Sequence, residues 1–223
     1  MKRLVIVISL LVLFGISSSA SESQITYRRV ENENMEIALT FDDGPHPYYT
    51  ERILKILEKY NVKATFFFVG QNIENYPEAA EKVYAAGHEI GNHTYTHHRV
   101  RAMEQGELFR ELNRCDDAIF EIEEYRTHLF RPPEGAFDDD VELTAKSMDY
   151  SIILWSIDTR DWEHLPPETI LGNVLTNVRS GDIILMHDYI GRNSPTPESL
   201  EMMIPALLER GYKFVTVSEL MGT

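Results

Sequence analysis

One cysteine, two tryptophans and 21 basic residues against 36 acidic ones are what this 223-residue chain has little of. With Cys115 as its sole cysteine the chain can form no internal disulfide, so an ordinary hydrophobic core must hold it together. Cys115 falls in an apolar helical pattern and reads as buried filler rather than as a nucleophile. The formal charge of −15 excludes a surface built to track phosphates, and nucleic acid and anionic lipid are not expected partners. A neutral or cationic partner suits such a field. There is no internal repeat, low-complexity block or linker. Beyond residue 16 no stretch is apolar enough to span a bilayer, and residues 4–16 fall short of the ~20 that a spanning helix needs.

That early apolar run follows Lys2 and Arg3 and leads to Ser18-Ser19-Ala20, a small-x-small cleavage pattern. Residues 1–20 are therefore expected to be a signal peptide, with an uncleaved anchor as the alternative. Export, to the medium or the cell wall, follows, without stable membrane insertion. Residues 21–34 are polar and read as a loose leader; residues 35–223 are long enough for one domain, expected to be a monomer.

From residue 35 onward, strand and helix patterns alternate about seven times. Strands are expected at 37–41, 64–69, 88–93, up to Arg131, 151–155, 183–186 and 213–217. Helices are expected after Thr50 as N-cap, with Ile53, Leu54, Ile56 and Leu57 as the apolar stripe, and over 77–86, 104–125, 138–148, 167–178 and 197–210. This alternation predicts an α/β fold with a parallel sheet, open or closed into a barrel. Every chemically interesting stretch follows a strand. In a closed barrel such strand ends meet on one face.

Five stretches carry the chemistry. In Thr40-Phe41-Asp42-Asp43-Gly44-Pro45, strand alternation points the two carboxylates to opposite sides and so to different jobs. One can ligate a metal while the other takes a proton from water that the metal acidifies. In His93-Thr94-Tyr95-Thr96-His97, a helical turn would place both imidazoles on one face, where they suit a borderline-soft divalent ion. Arg131-Pro132-Pro133-Glu134-Gly135 is a stiff turn whose guanidinium fork could orient a carboxylate. In the stretch from Trp155 to Trp162, Trp155 reads as core and Trp162, in a loop with Asp158 and Asp161, as the better site residue. Strand 183–186 ends in His187, which a carboxylate such as Asp161 would equip as a general acid. Each stretch alone also has a plain reading as a surface turn or a satisfied core residue. His46, His88, His98, His128 and His164 carry no signal.

Taken in order, these five motifs resemble the polysaccharide deacetylases of the NodB-homology type, carbohydrate esterase family 4. The resemblance implies a distorted (β/α) barrel of about seven parallel strands over residues 35–223. By that resemblance Asp43, His93 and His97 are the metal ligands, for zinc first, with cobalt or another divalent ion as alternatives. Asp42 is the general base, oriented by Arg131, and His187 is the general acid, tuned by Asp161. Trp162, Leu185, Pro133 and Glu134 line the substrate pocket, and a backbone N–H of the third motif meets the oxyanion. The implied reaction is hydrolysis of N-acetyl groups on a glycan such as peptidoglycan or a chitin-like oligomer, with no covalent intermediate. One departure stands out: Glu134 occupies a position that is often aromatic in the family. Two other readings use the same scaffold, a non-catalytic glycan-binding module and an O-acetyl esterase.

Overall fold

Strand alternation explains how one sheet serves both a core and a site. The computed structural model describes residues 25–223, so the expected signal peptide lies outside the described residues. Nine parallel strands form one sheet: β1 (Thr26–Tyr27), β2 (Glu36–Asp42), β3 (Thr65–Phe68), β4 (Glu89–Asn92), β5 (Leu129–Phe130), β6 (Ser151–Ile153), β7 (Ile157–Asp158), β8 (Ile183–His187) and β9 (Lys213–Val215). They run in the order β1-β6-β5-β4-β3-β2-β8-β7, and β9 joins the lower half of β2. Among the described residues no ladder links β1 to β7, so the sheet curls into an incompletely closed barrel. The seven expected strands are present; β1 and β7 are two-residue additions.

Among the described residues, eight helices connect and cover the strands: α1 (Tyr49–Tyr60), α2 (Gly70–Asn75), α3 (Pro77–Ala85), α4 (Gln105–Glu123), α5 (Asp139–Ser147), α6 (Pro167–Asn177), α7 (Thr196–Glu209) and α8 (Val217–Met221). Leu39 and Phe41 of β2, Phe66 and Phe68 of β3, and Ile184 and Met186 of β8 share one core with the apolar faces of α1, α4, α6 and α7. Their neighbours Ala38, Phe67 and Ile183 turn inward and form a second cluster with Val217 and Leu220 of α8. The barrel interior is therefore plugged with side chains at its lower end. The inward series of β2 continues through Thr40 to Asp42, and that of β8 through Leu185 to His187. Those two strands pair with Thr40 beside Leu185 and Asp42 beside His187.

Four expectations need correction. The leader is not loose throughout: Thr26–Tyr27 pairs with β6, and Arg29 forms an ion pair with the buried Asp182. Thr50 does not cap α1. It is buried inside the first turn, where its hydroxyl accepts from the His46 N–H and donates to Asp188. The last strand stops at Val215, because Thr216 and Glu219 form a reciprocal capping box that starts α8. Finally, the strand expected over 64–69 stops at Phe68, because Gly70 opens α2. A Cβ there would lie 2.9 Å from the Cys115 Cα, so α4 can approach only a glycine. Cys115 itself is buried, with its thiol pushed well above the usual range, as expected of filler.

Candidate active site

Asp42 ends β2 and is almost fully buried. Its Oδ1 accepts from Arg131 Nη1 at 2.7 Å. Arg131, with no exposed surface, crosses the barrel interior and uses all three of its nitrogens as donors. Nη1 also donates to the Thr40 hydroxyl at 2.8 Å, Nε to the Ile153 carbonyl at 3.0 Å and Nη2 to the Leu154 carbonyl at 3.1 Å. The Phe67 ring lies 4.0 Å from the guanidinium carbon. Burial lowers the arginine's pKa and Asp42 opposes that shift. A buried charge is tolerated only when paired and hydrogen-bonded in this way.

Asp43 takes a left-handed backbone conformation, φ 73°. That turn overrides strand alternation: both carboxylates face the His93 ring, with Nε2 3.7 Å from Asp42 Oδ2 and 3.4 Å from Asp43 Oδ1. Asp43 Oδ1 also lies 3.0 Å from His97 Nε2. The expectation of opposite directions is thus corrected, and so is the helical turn for the histidine pair. Residues 93–97 form a loop after β4, and Thr94 and His97 have φ of 65° and 60°. The rings still converge, with centroids 4.9 Å apart. Glu111 of α4 holds this loop by accepting from the Tyr95 and Thr96 N–H groups at 3.1 and 2.8 Å. Asn92 accepts from the Thr94 N–H, and the Thr94 hydroxyl from the His97 N–H. Sequence reasoning missed Glu111 and Asn92, since neither belongs to a motif and both act on backbone.

One ligand atom each from Asp43, His93 and His97 falls within 4.8 Å of the others. His93 Nδ1 lies 2.7 Å from the Arg131 carbonyl, which can only accept, so Nδ1 carries the proton. Its Nε2 faces carboxylate oxygens of Asp42 and Asp43, where a shared cation would offset their negative charge. Two imidazole nitrogens and one carboxylate suit zinc or a similar divalent ion. Burial pushes the Asp43 carboxyl upward, but hydrogen bonds from His93 and His97 and the charge of His187 outweigh it, leaving the pKa well below the carboxylate range. The bond to Asp43 raises His97.

Opposite Asp42 stands His187, the last residue of β8. Its Nδ1 donates to Asp161 Oδ1 at 2.8 Å. Asp161 Oδ2 accepts from the His187 N–H at 2.8 Å and from the Thr196 hydroxyl at 2.7 Å. Burial disfavours the imidazolium, yet Asp161, with smaller contributions from Asp42 and Asp43, lifts the pKa to about 9. Leu185, two residues earlier on the same face, is buried. Trp162 sits beside Asp161 and is 48% exposed. Pro133 is buried, and Glu134 has φ 59°. The Glu134 carboxylate points to solvent and pairs with Arg99 at 2.8 Å. Its backbone N–H has no protein acceptor among the described residues. Trp155 is half-buried and presses on Gly135, where a Cβ would meet its ring at 2.6 Å.

Fold and site together define a parallel-barrel protein whose mouth gathers a candidate cation site, flanked by an arginine-held carboxylate and an aspartate-held histidine. The chain belongs to the polysaccharide deacetylase family, whose profile matches residues 29–153. It is 41% identical over 200 residues to a peptidoglycan-N-acetylglucosamine deacetylase of Bacillus cereus, covering 88% of this chain and 92% of that one. Its fold superimposes on the crystal structure of the Bc1960 peptidoglycan N-acetylglucosamine deacetylase with a TM-score of 0.86 at 33% identity, over 89% and 94% of the two chains. It also resembles BA3943 of Bacillus anthracis, described as a family 4 pseudoenzyme (TM-score 0.83, 33% identity, 89% and 69% covered). A family 4 acetyl xylan esterase of Clostridium thermocellum, solved with a cobalt ion, matches with a TM-score of 0.78 at 34% identity over 84% and 90% of the chains.

Proposed function

We propose that this chain is an exported, divalent-metal-dependent hydrolase that removes N-acetyl groups from cell-wall glycan, peptidoglycan N-acetylglucosamine first. The observation that carries the reading is the convergence of Asp43, His93 and His97 beside the paired strand ends that carry Asp42 and His187. The 41% identity to a peptidoglycan-N-acetylglucosamine deacetylase supports this substrate over an unrelated amide. The presence of base, acid and all three ligands favours an enzyme over a non-catalytic copy.

When bound by Asp43, His93 and His97, a divalent cation supplies Lewis acidity that polarises the acetyl carbonyl and acidifies water. Asp42, held on one oxygen by Arg131, accepts the proton of the attacking water through the other. The free Glu134 N–H is the donor for the oxygen that gains charge. As the carbon–nitrogen bond breaks, His187 gives its Nε2 proton to the leaving nitrogen, with Asp161 stabilising the charged ring beforehand. Water adds to the acyl carbon, acetate leaves, and the sugar keeps a free amine. Leu185, Pro133 and Trp162 are assigned to the walls around the acetyl group.

Acetate release from N-acetylglucosamine oligomers and from peptidoglycan, with and without a chelator, tests this. Chelator-sensitive release from at least one is expected. Asp42→Asn should retain metal and lose turnover, whereas His93→Ala should lose the metal. Wild-type turnover in Asp42→Asn would remove the base assignment.

A further inference from the structure

Beside this mouth lies a cluster of rings that the chemistry leaves unused. His46 follows Asp43 by three residues, and Tyr189 follows His187 by two. Their rings stack with centroids 4.3 Å apart and an interplanar angle of 13°. Tyr76, between α2 and α3, meets the same imidazole at 6.2 Å. Tyr189 and Tyr76 are 38% and 41% exposed, an unusual concentration of accessible ring surface.

The ledge is preorganised. His46 Nδ1 lies 3.2 and 3.3 Å from the N–H groups of Tyr48 and Tyr49, which donate to it and fix the imidazole over the start of α1. The buried Tyr49 supports the stack from below, and its hydroxyl accepts from the Asn193 N–H at 2.9 Å. Tyr76 is located by the same turn as the candidate metal ligand, because Asn72 of α2 donates to the Asp43 carbonyl at 2.9 Å. Rings held in this way lose little freedom when a ligand covers them. A cavity of about 230 Å³ opens between Pro47, Leu54 and Tyr76 at the outer margin of the ledge.

We propose that Tyr189, His46 and Tyr76 form a second sugar subsite, on which a pyranose ring of the glycan stacks next to the sugar whose acetyl group is removed. The occupant follows from continuity and chemistry. The ledge begins where the reacting site ends, so a polymer held in one reaches the other. Flat rings suit the C–H face of an uncharged pyranose. An acidic chain would repel a polyanion but not a neutral glycan. This inference rests on the glycan deacetylase reading, which it extends from one sugar to a chain.

Binding and turnover separate the two ideas. Titration of the metal-loaded Asp42→Asn chain with a hexamer of β-1,4-linked N-acetylglucosamine reads the subsite without hydrolysis. Tyr189→Ala and Tyr76→Ala in that background should each weaken hexamer binding about tenfold, while Tyr189→Phe and Tyr76→Phe, which keep the ring, should bind as the parent does. In the otherwise wild-type chain, the same alanine variants should raise KM for the hexamer with kcat kept. Their hydrolysis of 4-nitrophenyl acetate, which has no glycan to hold, should stay within about twofold, a change too small to represent a lost contact. Unchanged hexamer binding in both alanine variants, or no hexamer binding by the parent, overturns the subsite. So does an equal loss with hexamer and ester, which would make the rings structural. Hexamer binding that depends on the tyrosines, without acetate release by the wild-type chain from either the hexamer or peptidoglycan, would uphold the subsite and remove the deacetylase reading.

Discussion

Replacing Asp161 by asparagine tests whether the acid in this site is made by its carboxylate. Asp161 is fully buried and gives His187 one short contact from the ring and one from the backbone. With it, the ring titrates at about 9. Without its charge, burial acts against only the lesser pulls of Asp42 and Asp43 and returns the ring toward its ordinary 6.5. At pH 8 the protonated fraction is then about 90% in the wild type and about 3% in Asp161→Asn, a loss of about 30-fold in the competent form. At pH 6 the same arithmetic gives nearly full protonation against about three-quarters, so the protonation deficit almost disappears. The assay is kcat for acetate release from an N-acetylglucosamine oligomer between pH 5.5 and 9.5, with metal content checked at each pH. The alkaline limb should move acidward by about 2.5 pH units. An alkaline limb still at 9, or a rate depressed by the same factor at pH 6 and pH 8, would refute the reasoning. Asparagine leaves an acceptor for Thr196 or the His187 N–H, so a large fall in melting temperature is not expected.

Two further outcomes follow from the same groups. His97 has a raised pKa through Asp43 while Asp43 stays ionised, so protons compete with metal at the histidine. Zinc or cobalt affinity, followed by calorimetry, should fall as pH drops through a value above 6.5, and a flat profile between pH 5 and 8 would contradict the ligand set. Asp188 is fully buried, keeps one oxygen unpartnered and receives the Thr50 hydroxyl on the other at 2.6 Å. Burial raises its pKa from 3.8 to about 7. The neutral carboxyl therefore favours the fold fully below 3.8, and that contribution is gone above about 7. Thr50→Val removes a donor to the anion, so its cost of about 1–3 kcal/mol should be larger at pH 8.5 than at pH 5.5. Thermal melts should register this as a loss of about 2–4 °C per kcal/mol, and an equal loss at both pH values would count against it.

What the chain revealed before folding, and what it concealed, divides along a physical line. Buried strands such as Ile37-Ala38-Leu39-Thr40-Phe41 and Ile183-Ile184-Leu185-Met186 are largely apolar on both faces, so their existence and their termination at Asp42 and His187 could be read locally. Convergence of the five motifs at strand ends followed from parallel topology. The errors arose where a distant partner or an uncommon backbone decides. Thr26–Tyr27 is a strand only because β6 offers an edge. The histidine pair suggested a helical face, yet Thr94 and His97 take positive φ without being glycine, and Glu111 from another element meets the cost. Asp43, Glu134 and Arg160 share that conformation, so five motif residues are aimed by dihedrals that side-chain spacing cannot disclose. The capping box at Thr216 and Glu219, by contrast, was open to sequence reading and was passed over in favour of a longer strand.

The departure at Glu134 shows how the site handles charge. A carboxylate beside a developing oxyanion would oppose the reaction if it faced inward. Positive φ turns this residue so that its N–H is free while its side chain lies outside, 50% exposed and paired with Arg99. An exposed pair of this kind adds little stability, so holding the carboxylate outward is its more consequential effect. The same separation governs the interior. Arg131 donates to Thr40, Asp42 and two strand-end carbonyls, and Asp161 accepts from His187 and Thr196. The proposed base, Asp42, and the proposed acid, His187, thus have separate partners, one cationic and one anionic, in a mouth that also gathers Asp43, His93 and His97. Exchange of either partner for a neutral residue should disable one proton transfer and leave the three ligands in place, which makes metal content the readout that distinguishes a chemical lesion from a collapsed site.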